Sequence, residues 1–261
     1  MIDQSQLSDL VKKYQTNSTV ILREYVQLLF LETLYGIKGS ENFIFKGGTA
    51  VHLVFDAPRF SEDLDFTVSS SEKQAELVIQ KLFTQMQKIG DYTFKKKDTI
   101  TGLRYQMIIH FSIITFTIYM NLDFSFREAT LTHDKSILNT QFPVTTNSVI
   151  HHMGKDEIVA EKVRAILTRN KGRDIYDLWY LLSKEATINQ DWVKQKFAYY
   201  KDKDLRLSDL VGRIQSFPVK DFIEDLRPFV PFSDRDQLAE RFALIQSALV
   251  QSLTRSSRGI K

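Results

Sequence analysis

The chain has 261 residues, of which 43% are hydrophobic and 26% charged, a size and balance that suit one large domain or two small ones with ample core. It contains no cysteine, so disulfides and thiolate zinc sites are excluded, and no apolar run reaches the roughly 20 residues needed to cross a bilayer. A net charge of +3 is too small to name a polyanionic partner, and local clusters carry more information.

The opening MIDQSQLSDL is polar and acidic, unlike a secretory signal, so a cytoplasmic protein is expected. Residues 19–35 are apolar at helical spacing and read as a buried helix. Asn42 to Lys46 reads as a short strand entering the turn Gly47-Gly48, and 48–56 as a helix stopped by Pro58. Residues 63–68 read as a strand. Residues 71–89 read as a helix with Ser71 as its cap. Three strand-like stretches follow at 91–97, 103–111 and 113–125. In the last, Ile114, Phe116, Ile118, Met120, Leu122 and Phe124 alternate with Thr115, Thr117, Tyr119, Asn121, Asp123 and Ser125, the pattern of a half-buried strand. Residues 126–147 read as an irregular connection. From 155 onward helices are predicted at 155–169, 174–184, 190–200, 204–216, 219–226 and 234–255. The expected fold class is therefore α+β, a mixed β-sheet with helices over 1–150 followed by an all-helical domain over 151–261.

The chemistry concentrates in residues 45–68. Glycines at 47 and 48 let backbone approach a ligand, and a helix beginning there presents free N–H groups to phosphate. Asp63 and Asp65 lie on one strand face with Cα atoms about 6.6–6.8 Å apart, the other face being Leu64, Phe66 and Val68. Like charges that close need compensation, and a divalent cation is the simplest source. If the strand bearing Asp123 lies beside 63–68, a third carboxylate joins them. Such a turn beside such carboxylates suggests a nucleoside triphosphate with Mg²⁺. No Walker A, nucleophile elbow or dinucleotide fingerprint is present, and the five histidines show no metal spacing.

Gly47-Gly48-Thr49 followed by Arg59-Phe60-Ser61-Glu62-Asp63-Leu64-Asp65-Phe66 resembles the first motif of the AbiEii/AbiGii toxins, MenT-like members of the DNA polymerase β-type nucleotidyltransferase superfamily. Ala160-Glu161-Lys162-Val163-Arg164-Ala165 and Arg173-Asp174-Ile175-Tyr176-Asp177-Leu178 resemble two later motifs. The resemblance covers about 20–184. It implies an NTP- and Mg²⁺-dependent enzyme, the toxin of a toxin–antitoxin or phage-defence pair with a cognate antitoxin. The implied reaction transfers NMP to an RNA acceptor, the tRNA 3′ end being one candidate. On that basis Asp63 and Asp65 are expected to hold metal, Asp123 to complete the metal cluster or take the acceptor proton, and Gly47, Gly48, Thr49, Ser61 and Lys162 to bind nucleotide. Asp174 is expected at the active centre ahead of Asp177. Five basic residues within 162–173, among them Arg164, Arg169, Lys171 and Arg173, are candidate RNA contacts, and Lys95-Lys96-Lys97 is another.

The same residues have plainer readings. Lys162 shares a helical face with Ile158 and Ile166, so its stem is buried and its head either meets an anion or reaches water. Asp174 is well placed as a helix cap. Asp177 is read as exposed or paired with a nearby arginine. The basic segment also suits a helix C-terminus, and Ser61 suits a turn. Two other functions remain open at this level: transfer to a small-molecule or protein hydroxyl, and a silent nucleic-acid-binding module.

Overall fold

The first helix, α1 (Gln4–Tyr14), starts at Asp3, whose side chain accepts from the Gln6 backbone while the Gln6 side chain returns to the Asp3 backbone, a reciprocal cap that satisfies otherwise open N–H groups. This helix was passed over in the sequence, although Leu7, Leu10, Val11 and Tyr14 recur at helical spacing. The computed structural model describes residues 2–201 and 206–258. It divides into two units, Met1–Asp56 with Phe60–Gly154, and Ala57–Arg59 with Lys155–Lys261.

In the first unit α2 (Ser18–Tyr35), capped by Asn17, is buried along most of its length. There follow β1 (Phe43–Lys46), α3 (Gly47–Leu53), β2 (Leu64–Val68), α4 (Glu72–Ile89), β3 (Asp91–Lys97), β4 (Leu103–His110), β5 (Ile118–Ser125), β6 (Asp134–Ser136) and β7 (Ile150–His152). The strands form one mixed sheet in the order β3-β4-β5-β2-β1-β7-β6. β2 runs parallel to β5 and antiparallel to β1, and β3, β4 and β5 form an antiparallel meander.

One face of the sheet packs on α2 and α4. Phe66 stacks on Phe124 with ring centroids 5.3 Å apart, and Phe83 of α4 stacks on Phe94 of β3 at 3.7 Å. Leu64, Met107, Leu122 and Phe124 are almost fully buried there. The opposite face of β3, β4 and β5 is open: Lys95, Lys97, Arg104, Tyr119 and Asn121 are exposed.

Several boundaries differ from the sequence expectation. Alternation over 113–125 begins before the strand does: Ile114 N donates to Phe111 O in the hairpin turn, Phe116 is exposed, and pairing starts at Ile109↔Ile118. Residues 126–147 are not all irregular, since β6 pairs with β7 there; three-residue strands are too short to leave a period. The helix expected over 234–255 begins as 3₁₀ turns and becomes regular at Leu238.

The second unit is helical: α5 (Lys155–Thr168), α6 (Gly172–Ser183), α7 (Gln190–Tyr200), α8 (Asp209–Gln215), α9 (Val219–Leu226) and α10 (Leu238–Arg258). The start of the helix expected over 204–216 lies outside the described residues. α6 approaches α9 closely, since a Cβ on Gly172 would stand 2.8 Å from the Phe222 Cα. The fold class is α+β, with the helical region C-terminal. Among the described residues no helix is long and apolar enough to cross a membrane.

Candidate active site

Strand register builds a row of charge across the open face. Lys46 pairs with Asp65, Asp65 with Asp123, Asp123 with Arg104 and Arg104 with Lys97. Directly opposed residues on neighbouring strands share a face, with Cβ atoms about 4.5–5.5 Å apart in antiparallel pairs. Two carboxylates therefore sit side by side with cations at either end. Lys46 is itself buried and ion-paired with Glu128. Arg104 Nε donates to Asp123 Oδ1 at 2.9 Å.

Asp63 stands just before β2 rather than within it. Its Oδ1 accepts from the Asn121 backbone N–H at 3.2 Å and from Asn121 Nδ2 at 3.1 Å. The Thr49 hydroxyl donates to the Asp63 carbonyl, and Gln27 Nε2 donates to the preceding Ser61 carbonyl at 3.2 Å. The loop bearing Asp63 is thus gripped from α2, α3 and β5. Burial pushes the Asp63 carboxyl above its ordinary value, against the pull of the Asn121 hydrogen bonds.

Gly47 has φ +77°, a region costly for any residue with a Cβ. A Cβ there would also overlap the Asp65 carboxylate. Glycine is therefore required twice at this position, by backbone conformation and by the approach of Asp65. Thr49 is fully buried with its hydroxyl committed to Asp63. Ser61 is partly exposed beside it.

The three carboxylates do not form a closed cage. Asp123 is turned onto Arg104, and among the described residues no group of three or more His, Asp or Glu side chains stands ready to hold a metal ion.

Lys162 and Asp174 lie in the helical unit, in a buried ion network. Lys162 Nζ is 2.9 Å from Asp174 Oδ1 and 2.6 Å from Asp177 Oδ2. Arg59 donates to both Asp177 oxygens at 2.5 Å. Arg169 donates to both Asp174 oxygens at 2.7 and 2.9 Å. Asp177 is thus neither exposed nor paired only locally: it is buried, and its arginine comes from 118 residues away. Burial opposes the charge of Asp174, but Lys162 and Arg169 outweigh it and hold the carboxyl well below the usual range. Burial likewise opposes the Lys162 charge, and Asp177 and Asp174 hold it above the ordinary lysine value.

The four basic candidates for RNA contact all have partners inside this unit. Arg164 lies over the Tyr200 ring, 3.5 Å from its centroid. Arg169 binds Asp174. Lys171 and Arg173 reach Asp225 at 3.5 and 3.3 Å, and Arg173 also covers Phe229. Asn170 Nδ2 donates to Asp221 Oδ2 at 2.7 Å, so the turn is tied to α9.

Sequence reasoning missed Arg59, Arg104, Asn121 and Gln27 as site-building residues. Arg59 stood inside the quoted motif, and Asn121 stood on the polar face of β5 two residues before Asp123; both signals were available.

The sequence matches the family described as nucleotidyl transferase AbiEii toxin, type IV TA system, over residues 30–252. Among solved structures, MenT4, a nucleotidyltransferase toxin from Mycobacterium tuberculosis, shares 17% identity and a TM-score of 0.68, with 98% of this chain and 93% of that one covered. JHP933 from Helicobacter pylori shares 19% identity and a TM-score of 0.58, with 94% and 97% covered. At such identities the likeness is one of fold. No curated protein matches the sequence. The chain belongs to the AbiEii nucleotidyltransferase toxin family, which implies a nucleotide substrate and an antitoxin.

Proposed function

We propose that this toxin transfers a nucleoside monophosphate from an NTP to a hydroxyl of an RNA, with the tRNA 3′ end as the leading acceptor, in the cytoplasm and with Mg²⁺. The acceptor oxygen attacks the α-phosphorus, the bond to the β-phosphate breaks, and pyrophosphate leaves with the electron pair. The observation that carries this reading is the register placing Asp65 against Asp123, with Asp63 two residues earlier on the same chain and left-handed Gly47 beneath Asp65.

The donor set fits Mg²⁺, a hard cation usually held by one or two carboxylates together with substrate phosphates and water. Asp63 and Asp65 supply that pair, so a ready-made cage of three protein ligands is not needed. Bound there, the ion neutralises charge on the phosphates. Asp123, aimed by Arg104, is assigned the acceptor proton rather than a metal bond. Gly47 and Gly48 leave room for phosphate, while Thr49 and Ser61 shape the loop that carries Asp63. Lys162 and Asp174 are paired with one another in the helical unit, and their burial supports a structural contribution by both. Catalysis then rests on positioning and electrostatics.

The test incubates the protein with total RNA, each labelled NTP and Mg²⁺, with EDTA as control, and compares Asp63→Ala with wild type for growth arrest in cells. Label on RNA that is lost with EDTA and with Asp63→Ala is expected. Label on no RNA, together with undiminished toxicity of Asp63→Ala, would overturn the proposal. Asp123→Asn should lower turnover while leaving Mg²⁺-dependent NTP binding intact.

A further inference from the structure

We propose that the open face of β3, β4 and β5 is the docking surface for the single-stranded end of the acceptor RNA. Lys95, Lys97 and Arg104 hold its phosphates, and Tyr119 stacks under one of its bases. The inference rests on the reading of RNA as acceptor and assigns it a place on the fold.

The lysines of β3 separate by direction. Lys96 faces the helices and pairs with Glu76 of α4 at 3.0 Å. Strand alternation puts Lys95 and Lys97 on the other face, where both are exposed and form no ion pair among the described residues. Lys97 pairs in register with Arg104, and Arg104 with Asp123. Lys95 pairs with Gln106, and Gln106 with Asn121, which holds Asp63. Two parallel rows therefore run from exposed cations to the carboxylates. At about 4.8 Å between strands, the distance from Lys97 to Asp65 is about 14 Å.

Tyr119 adds an aromatic surface. It is 52% exposed, among the described residues no ring stacks on it, and it lies on the Asp123 face of β5. Its in-register neighbour Ile108 is half-buried and extends the apolar floor. An exposed ring on an open sheet, flanked by unpaired cations and by amides, is the composition that binds unpaired bases and their backbone. The four cations of 164–173, by contrast, are engaged inside their own unit. Lysines also discourage pairing at an edge strand such as β3, but edge protection accounts neither for Tyr119 nor for any salt-dependent binding of RNA.

The test measures fluorescence anisotropy of a labelled single-stranded oligoribonucleotide with the full chain across a salt series, without NTP. Four proteins are compared: wild type, Lys95→Ala/Lys97→Ala, Tyr119→Ala and Lys96→Ala. The double variant should lower the slope of log K against log salt by about 1.4, at about 0.7 per lysine. Tyr119→Ala should weaken binding about 5- to 150-fold, the cost of losing one stacked base. Lys96→Ala should match wild type. In the transfer assay the losses should appear in KM for RNA and not in KM for NTP. Wild type that binds no oligonucleotide, or a double variant with wild-type affinity and salt slope, overturns the proposal. If the oligonucleotide binds as described but no NTP labels any RNA, the reaction assigned above fails while the surface stands.

Discussion

Gly47→Ala separates the geometry of the carboxylates from the stability of the fold. At φ +77° a Cβ costs about 1–2 kcal/mol in left-handed strain. That strain corresponds to a fall in Tm of about 2–8 °C for a domain of this size. The new methyl group also needs the position held by the Asp65 carboxylate. Asp65 must turn away, and displacement of about 1 Å at a reacting centre costs about 100-fold in rate. The variant should therefore fold, melt slightly lower and lose about two orders of magnitude in kcat. Thermal denaturation and single-turnover transfer with saturating NTP measure the two effects. Gly48→Ala is the comparison: its φ is not positive and it lies in the first turn of α3, where alanine is the better helix former by about 1 kcal/mol. It should keep its Tm, and any loss of NTP affinity then reports close approach of phosphate. Wild-type turnover in Gly47→Ala would show that Asp65 is not positioned by the turn.

Three further predictions concern the ion network of the helical unit and the loop that bears Asp63. Asp177→Asn leaves Arg59 and Lys162 buried with one anion fewer, and breaking a buried pair costs about 3–5 kcal/mol; a urea midpoint equal to wild type would contradict this. The Asp174 carboxyl is held below its unfolded value, so its stabilisation is complete above the unfolded pKa of about 3.9 and disappears as pH falls through the lower folded value. The difference in Tm between wild type and Asp174→Asn should therefore narrow steadily below about pH 4, and a constant difference down to acid unfolding would contradict the network. Asn121→Ala removes the side-chain donor to Asp63 from an exposed position, so kcat should fall about 10- to 100-fold, as for other residues that orient ligands, with Tm and KM for NTP unchanged; unaltered kcat would mean that Asp63 is aimed by other means.

The fold was legible where one face of an element is wet and the other dry. β5 announced itself by alternation, and α2 and α5 by apolar spacing, because burial is one-sided or continuous there. α1 was legible too: Leu7, Leu10, Val11 and Tyr14 recur at helical spacing behind the Asp3 cap, a short stripe that was passed over. The sequence also showed that Lys162, set among Ile158, Val163 and Ile166, either meets an anion or reaches water with its head. It could not show that Asp174 and Asp177 both supply one, or that Arg59 completes the network from 118 residues away, since no local pattern encodes a long-range ion pair. The basic run at 164–173 read as free charge for the same reason: Asp225, Tyr200 and Phe229, which engage it, lie far along the chain.

The cross-strand row revises the argument from repulsion. In sequence, Asp63 set against Asp65 called for a cation; the register places Lys46 beside Asp65 and Arg104 beside Asp123. Arg104 already compensates Asp123, while Lys46 is engaged by Glu128, so the divalent ion of the proposed reaction would have to be favoured by something more than relief of repulsion. Substrate phosphates provide it, because they bring further oxygen ligands and further negative charge at once. Arg104 is bound to Asp123, where, in the proposed reaction, it would keep that carboxylate aimed at an incoming hydroxyl. On the two proposals together, Arg104 would join recognition of the acceptor to the placement of its proton.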